Sequence, residues 1–365
     1  MHTRYILIGG FLGAGKTTAI LAIAQKLSGQ GRRVGLITND QSMGLVDTAL
    51  LSRHGQSTAE VTGGCFCCKF NSFIEASEQL SQQNRPDVFI AEPVGSCTDL
   101  KATVSYPLRR MYGETYHVAP LSVLVDPVRA ARVLGLETGK VFSSKVQYIY
   151  RKQLEEAEAI IINKCDLLED QRVSRLEDAI RREFPAKKVL RISAREGSGL
   201  DEWLDFLMAG ELGSGDAMEV DYDTYAEGEA LLGWLNATVR LVSDADFDGN
   251  AYVQAVGEAI RAALEAEGAE PAHLKMTLMP EGVGRDLAVA NLVRSGQPLE
   301  LPYRLCEPLT RGTLLVNLRA EADPATLRGI VERQFRSSGG IDCTIEDLAA
   351  FRPGRPVPTH RMAEA

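Results

Sequence analysis

The chain has 365 residues, of which 45% are hydrophobic and 24% charged, a balance that excludes intrinsic disorder over its length and indicates an ordinary soluble globular protein. At about 150 residues per domain, this length predicts two domains, or three. The net charge of −9, without any block of Lys and Arg, argues against a general nucleic-acid binder. No run approaches 18 apolar residues, so we expect no membrane span.

The first 210 residues alternate short apolar runs with helical patterns, which is typical of βαβ units. The predicted strands are residues 5–8, 34–38, 88–92, 121–126, 159–163 and 189–193. The predicted helices are residues 17–27, 74–82, 144–158, 171–184 and 200–208. These elements predict a doubly wound, mostly parallel α/β domain over residues 1–210. A Gly-rich stretch at residues 211–222 is expected to be a linker.

The pattern changes after the linker. Strand-like and helical segments alternate there, with strands predicted at 234–241, 273–278, 287–293 and 313–318 and helices at 252–266 and 327–335. They predict a smaller α+β domain over residues 223–350, with an antiparallel, ferredoxin-like sheet. Residues 351–365 are rich in Pro and Arg and are expected to form a loose tail.

A phosphate-binding loop is predicted where the first strand meets the first helix. Residues 10–17 read G-F-L-G-A-G-K-T and match G-x-x-x-x-G-K-[ST], in which backbone amides cradle phosphates, Lys16 reaches the β/γ oxygens and the Thr17 hydroxyl binds Mg²⁺. The alternative is a Gly-rich turn with an incidental lysine, which the strand–loop–helix context disfavours. The residues expected to bind the phosphates are Gly10, Gly13, Ala14, Gly15, Lys16, Thr17 and Thr18.

A second motif indicates the base. Asn163-Lys164-Cys165-Asp166 closes a predicted strand, where α/β proteins bind ligands, and the Asp166 carboxylate can accept from the N1–H and 2-amino groups of guanine. Ser193 and Ala194 end the next strand, where such folds present a backbone amide to guanine O6. These residues favour GTP over ATP.

Acidic residues for the metal of the nucleotide site are expected at neighbouring strand ends. Glu92 begins a Glu-x-x-Gly sequence that could hold Mg²⁺ directly or through water, while the Gly95 amide meets the γ-phosphate. Asp40 follows the second strand and is a further Mg²⁺ candidate, with an ordinary turn cap as the alternative. Lys16 and Glu92 are the residues expected to act in catalysis.

Three of the seven cysteines lie within four positions, in Gly63-Gly64-Cys65-Phe66-Cys67-Cys68. Thiolates suit zinc, Cu(I) or a related ion, and three ligands leave one tetrahedral position open, as metal transfer requires. Two alternatives are buried cysteines that only pack, and a C-x-x-C redox pair formed by Cys65 and Cys68. Such a cluster, with no disulfide framework, predicts a protein of the reducing cytoplasm.

Taken together, the phosphate loop, the C-x-C-C motif, Glu92-x-x-Gly95 and Asn163-Lys-x-Asp166 resemble the CobW-like GTPases, relatives of UreG and HypB. The resemblance implies a P-loop GTPase of the SIMIBI class in which nucleotide and metal are coupled. It also implies a metallochaperone or cofactor-insertion factor. Two features depart from the family: the five histidines are isolated, and Asn39-Asp40-Gln41-Ser42 replaces the usual Asn-Glu-Phe-Gly.

The leading hypothesis is a GTPase whose nucleotide state controls a zinc or similar ion at Cys65, Cys67 and Cys68, for a client metalloprotein. The alternative is a GTP-dependent assembly or reactivation factor for a corrinoid or other metalloenzyme, with structural or redox-active cysteines. A small-molecule kinase is disfavoured because the guanine motif would then have no purpose. The sequence marks no arginine near the phosphate loop as a finger, and Gln41 is its one obvious candidate for positioning water, so intrinsic turnover is expected to be slow. A partner subunit, in a nucleotide- or metal-dependent homodimer, or the client could supply such an arginine or glutamine.

Overall fold

The computed structural model describes residues 3–39, 57–282, 286–335 and 340–364. They form two compact units. The first contains residues 3–39, 57–226 and 355–364, and the second contains the described residues between 227 and 354. Among the described residues, no helix combines the length and apolarity needed to cross a membrane.

The first unit is built on an eight-stranded sheet. Its strands are β1 (Thr3–Gly10), β2 (Val34–Asn39), β3 (Ser57–Val61), β4 (Val88–Glu92), β5 (Tyr116–Val118), β6 (Ser122–Val125), β7 (Ala159–Ile162) and β8 (Lys188–Arg191). They run in the order β3-β2-β4-β1-β6-β7-β8, with β5 beside the start of β1. Each pair that the structure describes is parallel. The predicted mostly parallel α/β fold is therefore confirmed.

Helices connect these strands, as parallel strands require. They are α1 (Lys16–Gly29), α2 (Phe70–Asn84), α3 (Tyr106–Tyr112), α4 (Pro127–Val133), α5 (Ser144–Glu156), α6 (Asp170–Glu183), α7 (Leu200–Ala209) and α8 (Tyr222–Leu231). A π-helical turn, Lys101–Ser105, precedes α3, and a 3₁₀ turn, Cys165–Leu167, follows β7. The strands β1, β2, β4 and β7 are almost wholly buried, which explains why they were predicted as continuous apolar runs.

Two strands and three helices of this unit were not predicted. Edge strand β3 has the sequence STAEV and is only half-buried, so it lacks an apolar run, and β5 has only three residues. The helices Tyr106–Tyr112 and Pro127–Val133 have seven residues each, too few for a helical period to stand out. The third is α8, which spans the boundary between the two units.

Of residues 211–222, predicted as a linker, residues 211–221 contain neither helix nor strand but pack on the rest of the first unit, and residue 222 begins α8. The Gly213 amide donates to Glu158 Oε1 at 2.6 Å, and Arg109 Nη1 donates to the Leu212 carbonyl at 2.6 Å. The Leu212 side chain is buried as well. A glycine-rich composition therefore marks the absence of regular structure here, while side chains from elsewhere in the unit hold the backbone in place.

The second unit has a six-stranded antiparallel sheet in the order β12-β11-β10-β13-β9-β14. Its elements are β9 (Leu232–Phe247), α9 (Gly249–Ala266), β10 (Glu270–Pro280), β11 (Ala288–Leu292), β12 (Glu300–Tyr303), β13 (Leu309–Glu321), α10 (Pro324–Gln334) and β14 (Ile341–Phe351). Strands β9, β10, β13 and β14 with the two helices follow the βαββαβ order of a ferredoxin-like fold. Strands β11 and β12 extend the β10 edge. The predicted ferredoxin-like sheet is confirmed.

Candidate functional site: a nucleotide loop beside a cysteine cluster

The predicted phosphate loop joins β1 to α1. Gly10 (φ 133°) and Gly15 (φ 88°) have backbone angles that favour glycine, and a Cβ at Gly15 would lie 2.5 Å from Asn163 Nδ2. The Lys16 ammonium donates to the Gly10 carbonyl at 2.9 Å and lies 4.0 Å from a Glu92 oxygen. Because Gly15 has no side chain to cap α1, the first amides of this helix suit a phosphate group.

Two of the predicted oxygen ligands for Mg²⁺ lie beside this loop. The Thr17 hydroxyl donates to Glu92 Oε1 at 3.1 Å, so a hydroxyl and a carboxylate, the hard ligands that Mg²⁺ prefers, lie side by side. A Cβ at Gly95 would lie 2.8 Å from the Leu12 side chain, which places the Glu-x-x-Gly segment against the phosphate loop. The third candidate, Asp40, lies outside the described residues, as does Gln41.

Asn163 and Lys164, which follow β7, brace the phosphate loop. Asn163 Nδ2 donates to the Ala14 carbonyl at 2.9 Å. Lys164 Nζ donates to the Gly13 carbonyl at 2.7 Å and to Asp126 Oδ2 at 3.0 Å. The base motif and the phosphate loop are therefore one hydrogen-bonded structure, although they are about 150 residues apart in the chain.

Asp166, the residue predicted to select guanine, is exposed, and the Ser193 hydroxyl donates to its Oδ1 at 2.6 Å. The Ala194 amide donates to Asn163 Oδ1 at 3.1 Å. Ser193 and Ala194 thus orient the motif residues. The Ala194 amide, a candidate donor to guanine O6, already donates to Asn163 in this structure. An exposed, oriented carboxylate can accept from the two donors that guanine presents.

The three clustered thiols lie together in the loop between β3 and α2. Cys65 Sγ is 2.8 Å from Cys67 Sγ and 3.1 Å from Cys68 Sγ, and the Cys67 and Cys68 sulfurs are 3.7 Å apart. A tetrahedral zinc with Zn–S bonds of about 2.3 Å needs sulfurs about 3.8 Å apart. The thiols are thus close enough to bind one ion after adjustments of about 1 Å or less. Hydrogen bonds from neighbouring thiols, Cys67 first, hold the pKa of Cys65 well below its ordinary value.

Asn39, the last residue of β2, holds the cysteine loop in place. Its Nδ2 donates to the carbonyls of Val61 at 2.9 Å and Gly64 at 2.7 Å, and its Oδ1 accepts from the Phe66 amide at 2.8 Å. The sequence pattern placed Asn39 at a strand end but gave a role only to its neighbour Asp40. The signal that could have indicated this role is an amide side chain at the end of a predicted parallel strand.

Residues 355–364 do not form a loose tail, because they pack beside the cysteines. The Val357 amide donates to Cys68 Sγ at 3.3 Å, and the Thr359 amide donates to the Cys67 carbonyl at 2.8 Å. Arg361 Nε donates to the buried Asp99 carboxylate at 2.7 Å. The proline- and arginine-rich composition predicted a loose tail, because composition does not reveal hydrogen-bond partners that lie 250 or more residues away in the chain.

The fold and these two sites define a P-loop nucleotide-binding protein with a thiol cluster beside its nucleotide loop. The sequence model of the family described as CobW/HypB/UreG, nucleotide-binding domain, matches residues 4–191, about half of the chain. The chain belongs to this family, which confirms the resemblance read from its motifs.

Several characterised proteins are similar to this chain. The zinc chaperone CobW of a Sinorhizobium species is 28% identical over 210 residues, which cover 52% of this chain and 58% of that protein. The zinc chaperone YeiR of Escherichia coli K12 is 30% identical over 165 residues, 45% of this chain and 47% of YeiR. The chain therefore spans about half the length of these relatives. The Zn(II)-bound YjiA GTPase of E. coli has a TM-score of 0.41 at 15% identity, covering 92% of this chain and 99% of YjiA, a similarity too low to bear on function.

Proposed function

We propose that this chain is a GTP-binding and GTP-hydrolysing metallochaperone, or metal-cofactor insertion factor, whose nucleotide state is coupled to a metal ion at Cys65, Cys67 and Cys68. The observation that carries the proposal is the position of the thiols. Asn39, at the end of β2, is hydrogen-bonded to their loop. Glu92, at the end of the adjacent strand β4, accepts a hydrogen bond from Thr17 of the phosphate loop. The side chains for both ligands are thus held at the ends of two paired strands.

The nucleotide half of the proposal rests on the chemistry of the loop. Lys16 supplies the positive charge for the β/γ-phosphates, and Thr17 with Glu92 would hold Mg²⁺, which neutralises charge on those phosphates when bound. Asp166 supplies guanine selectivity. The sequence marks no arginine near the phosphate loop as a finger for the γ-phosphate, so we expect slow intrinsic turnover, about 10⁻⁴–10⁻² per second.

The metal half rests on the donor set and on the relatives. Three thiols are soft ligands that favour Zn²⁺ or Cu(I) over Mg²⁺. Two of the similar proteins are named zinc chaperones, which supports zinc as the ion here. The partner we propose is a client metalloprotein in the cytoplasm, and a homodimer that depends on nucleotide or metal is a further proposed assembly.

An alternative is a GTP-dependent assembly or reactivation factor for a corrinoid or other metalloenzyme, in which the cysteines are structural or redox-active. A structural zinc would bind with the same affinity in every nucleotide state, whereas a switching site must obey linkage. If GTP changes the affinity for metal by some factor, metal changes the affinity for GTP by the same factor.

The test is a zinc titration of the full chain with a non-hydrolysable GTP analogue and with GDP, using a competing chelator. We expect zinc dissociation constants that differ between the two states by about 5–150-fold. Replacing the three cysteines with Ser should abolish this binding without unfolding the domain, while Cys306→Ser, which removes an exposed cysteine of the second unit, serves as the thiol control. Equal affinities in both states, with an unfolded triple variant, would favour the structural alternative.

A further inference from the structure

A fourth cysteine lies against the cluster from a different part of the chain. Cys97 is fully buried and belongs to the segment that follows β4. Its thiol forms hydrogen bonds with the thiols of Cys65 and Cys67. The sulfurs of Cys65, Cys67 and Cys68 all lie within 4.8 Å of one another. The Cys97 sulfur is not part of that group, so it lies at one side of the cluster. The motif C-x-C-C does not include it.

We propose that Cys97 is the fourth ligand of the ion bound by Cys65, Cys67 and Cys68. This inference rests on the proposed metal site and specifies its coordination. A tetrahedral ion held by three thiolates has one open position, and a thiol that already contacts two of the three ligands is placed to occupy it.

The backbone around Cys97 is fixed in a way that suits a ligand. Its amide donates to the Val94 carbonyl at 2.9 Å. The buried side chain of Gln153, on α5, donates to the carbonyls of both Gly95 at 3.0 Å and Cys97 at 2.8 Å. One side chain therefore supports both the predicted γ-phosphate contact and the fourth thiol, as outer residues commonly orient metal ligands.

Binding by four thiols would create negative charge, because each thiol gives its proton to water as its sulfur bonds the ion. Two features of the cluster offset that charge. Cys68 lies just before α2, whose positive end favours thiolates, and the Val357 amide donates to Cys68 Sγ at 3.3 Å.

The position of Cys97 gives the coupling a physical route. It lies five residues after Glu92 and two after Gly95, the segment predicted to sense Mg²⁺ and the γ-phosphate. An ion bound to Cys97 would link this segment to the cysteine loop that precedes α2. Any displacement of the segment by the γ-phosphate would then change the fourth bond, closing or opening the site for transfer.

The alternative is that Cys97 is only a small buried side chain. X-ray absorption of the Zn(II)-loaded full chain separates the two, because it counts sulfur neighbours of zinc. We expect four sulfurs in the wild type and in Cys306→Ser, but three in Cys97→Ser. We also expect Zn(II) to dissociate at least tenfold more readily from Cys97→Ser, measured against a competing chelator.

Three sulfurs in the wild type would overturn the inference, whatever the variants do, and so would an unchanged sulfur count and affinity in Cys97→Ser. Cys97→Ala, with a metal-free thermal melt, checks that any loss is not unfolding, and the wild-type count decides the question if both variants unfold. A wild type that binds no Zn(II) would instead refute the metallochaperone. Zinc bound by three sulfurs with nucleotide-dependent affinity would refute only the role of Cys97.

Discussion

Glu156 is a buried carboxyl that should lower the stability of the first unit at high pH. It lies on α5 one turn from Gln153, where Thr98 Oγ1 donates to its Oε1 at 3.1 Å and the Lys101 amide donates to its Oε2 at 3.1 Å. Burial first, and then the charge of Asp99, raises the pKa of Glu156 from 4.5 to about 8. We predict that Glu156→Gln removes this pH-dependent cost, because glutamine is neutral. Its amide oxygen can accept from the Lys101 amide, and its NH₂ group can donate to the Thr98 hydroxyl, which reverses the direction of that bond.

Proton linkage gives the sign and the size of the change in the free energy of unfolding. The folded chain keeps a proton on Glu156 that the unfolded chain releases, so the free energy of unfolding falls as pH rises from about 4.5 to about 8 and then levels off. A tenfold change in proton affinity is worth about 1.4 kcal/mol, which gives a total cost of about 5 kcal/mol. Between about pH 5.5 and pH 8.5, this group accounts for about 3 kcal/mol of lost stability.

The assay is the melting temperature of wild type and Glu156→Gln at these two pH values. For a unit of this size, about 3 kcal/mol corresponds to roughly 6–12 °C, so the variant should gain that much on the wild type at the higher pH. Glu155→Gln, on the exposed side of the same helix, removes the same charge and should follow the wild type. A difference between wild type and Glu156→Gln that does not change with pH would refute the reasoning.

Three further predictions concern the nucleotide and the C-terminal segment. Lys16→Ala should abolish useful GTP binding, because it removes the counter-charge of the β/γ-phosphates, and hydrolysis at the wild-type rate would contradict the phosphate-loop assignment. Asp166→Asn should weaken GDP binding, measured by calorimetry, by about 1.5–3 kcal/mol, the value of a hydrogen bond to a charged group; equal displacement of bound GTP by ATP and by GTP in the wild type would contradict guanine selectivity. Arg361→Ala leaves the buried Asp99 carboxylate without this donor, so it should cost about 1–3 kcal/mol of stability and speed the reaction of Cys68 with a thiol reagent. Arg352→Ala, which breaks an ion pair of the second unit, is its control and should leave the reactivity of Cys68 unchanged.

The sequence predicts those parts of this molecule that depend on local pattern. Buried strands such as β4 are continuous apolar runs, and the phosphate loop has a fixed spacing, so both could be recognised directly. What the sequence could not predict depends on pairs of residues that are distant in the chain. Asn39 meets the cysteine loop about 25 residues later, and Arg361 meets Asp99 at a separation of 262. Neither contact has a period or a spacing that a pattern could detect.

The arrangement explains why a cysteine loop and a nucleotide loop can share a parallel sheet. Neighbouring parallel strands end at the same edge, so the residues that follow them meet even when the chain between them is long. Here β2 ends at Asn39, which binds the cysteine loop, and the paired strand β4 ends at Glu92, which binds Thr17. A shift of either strand end by the length of a bond would displace both loops, because closely packed strands transmit displacement to their neighbours. Coupling between nucleotide and metal would then have a route through these two paired strands, in addition to the route through Cys97 that we propose.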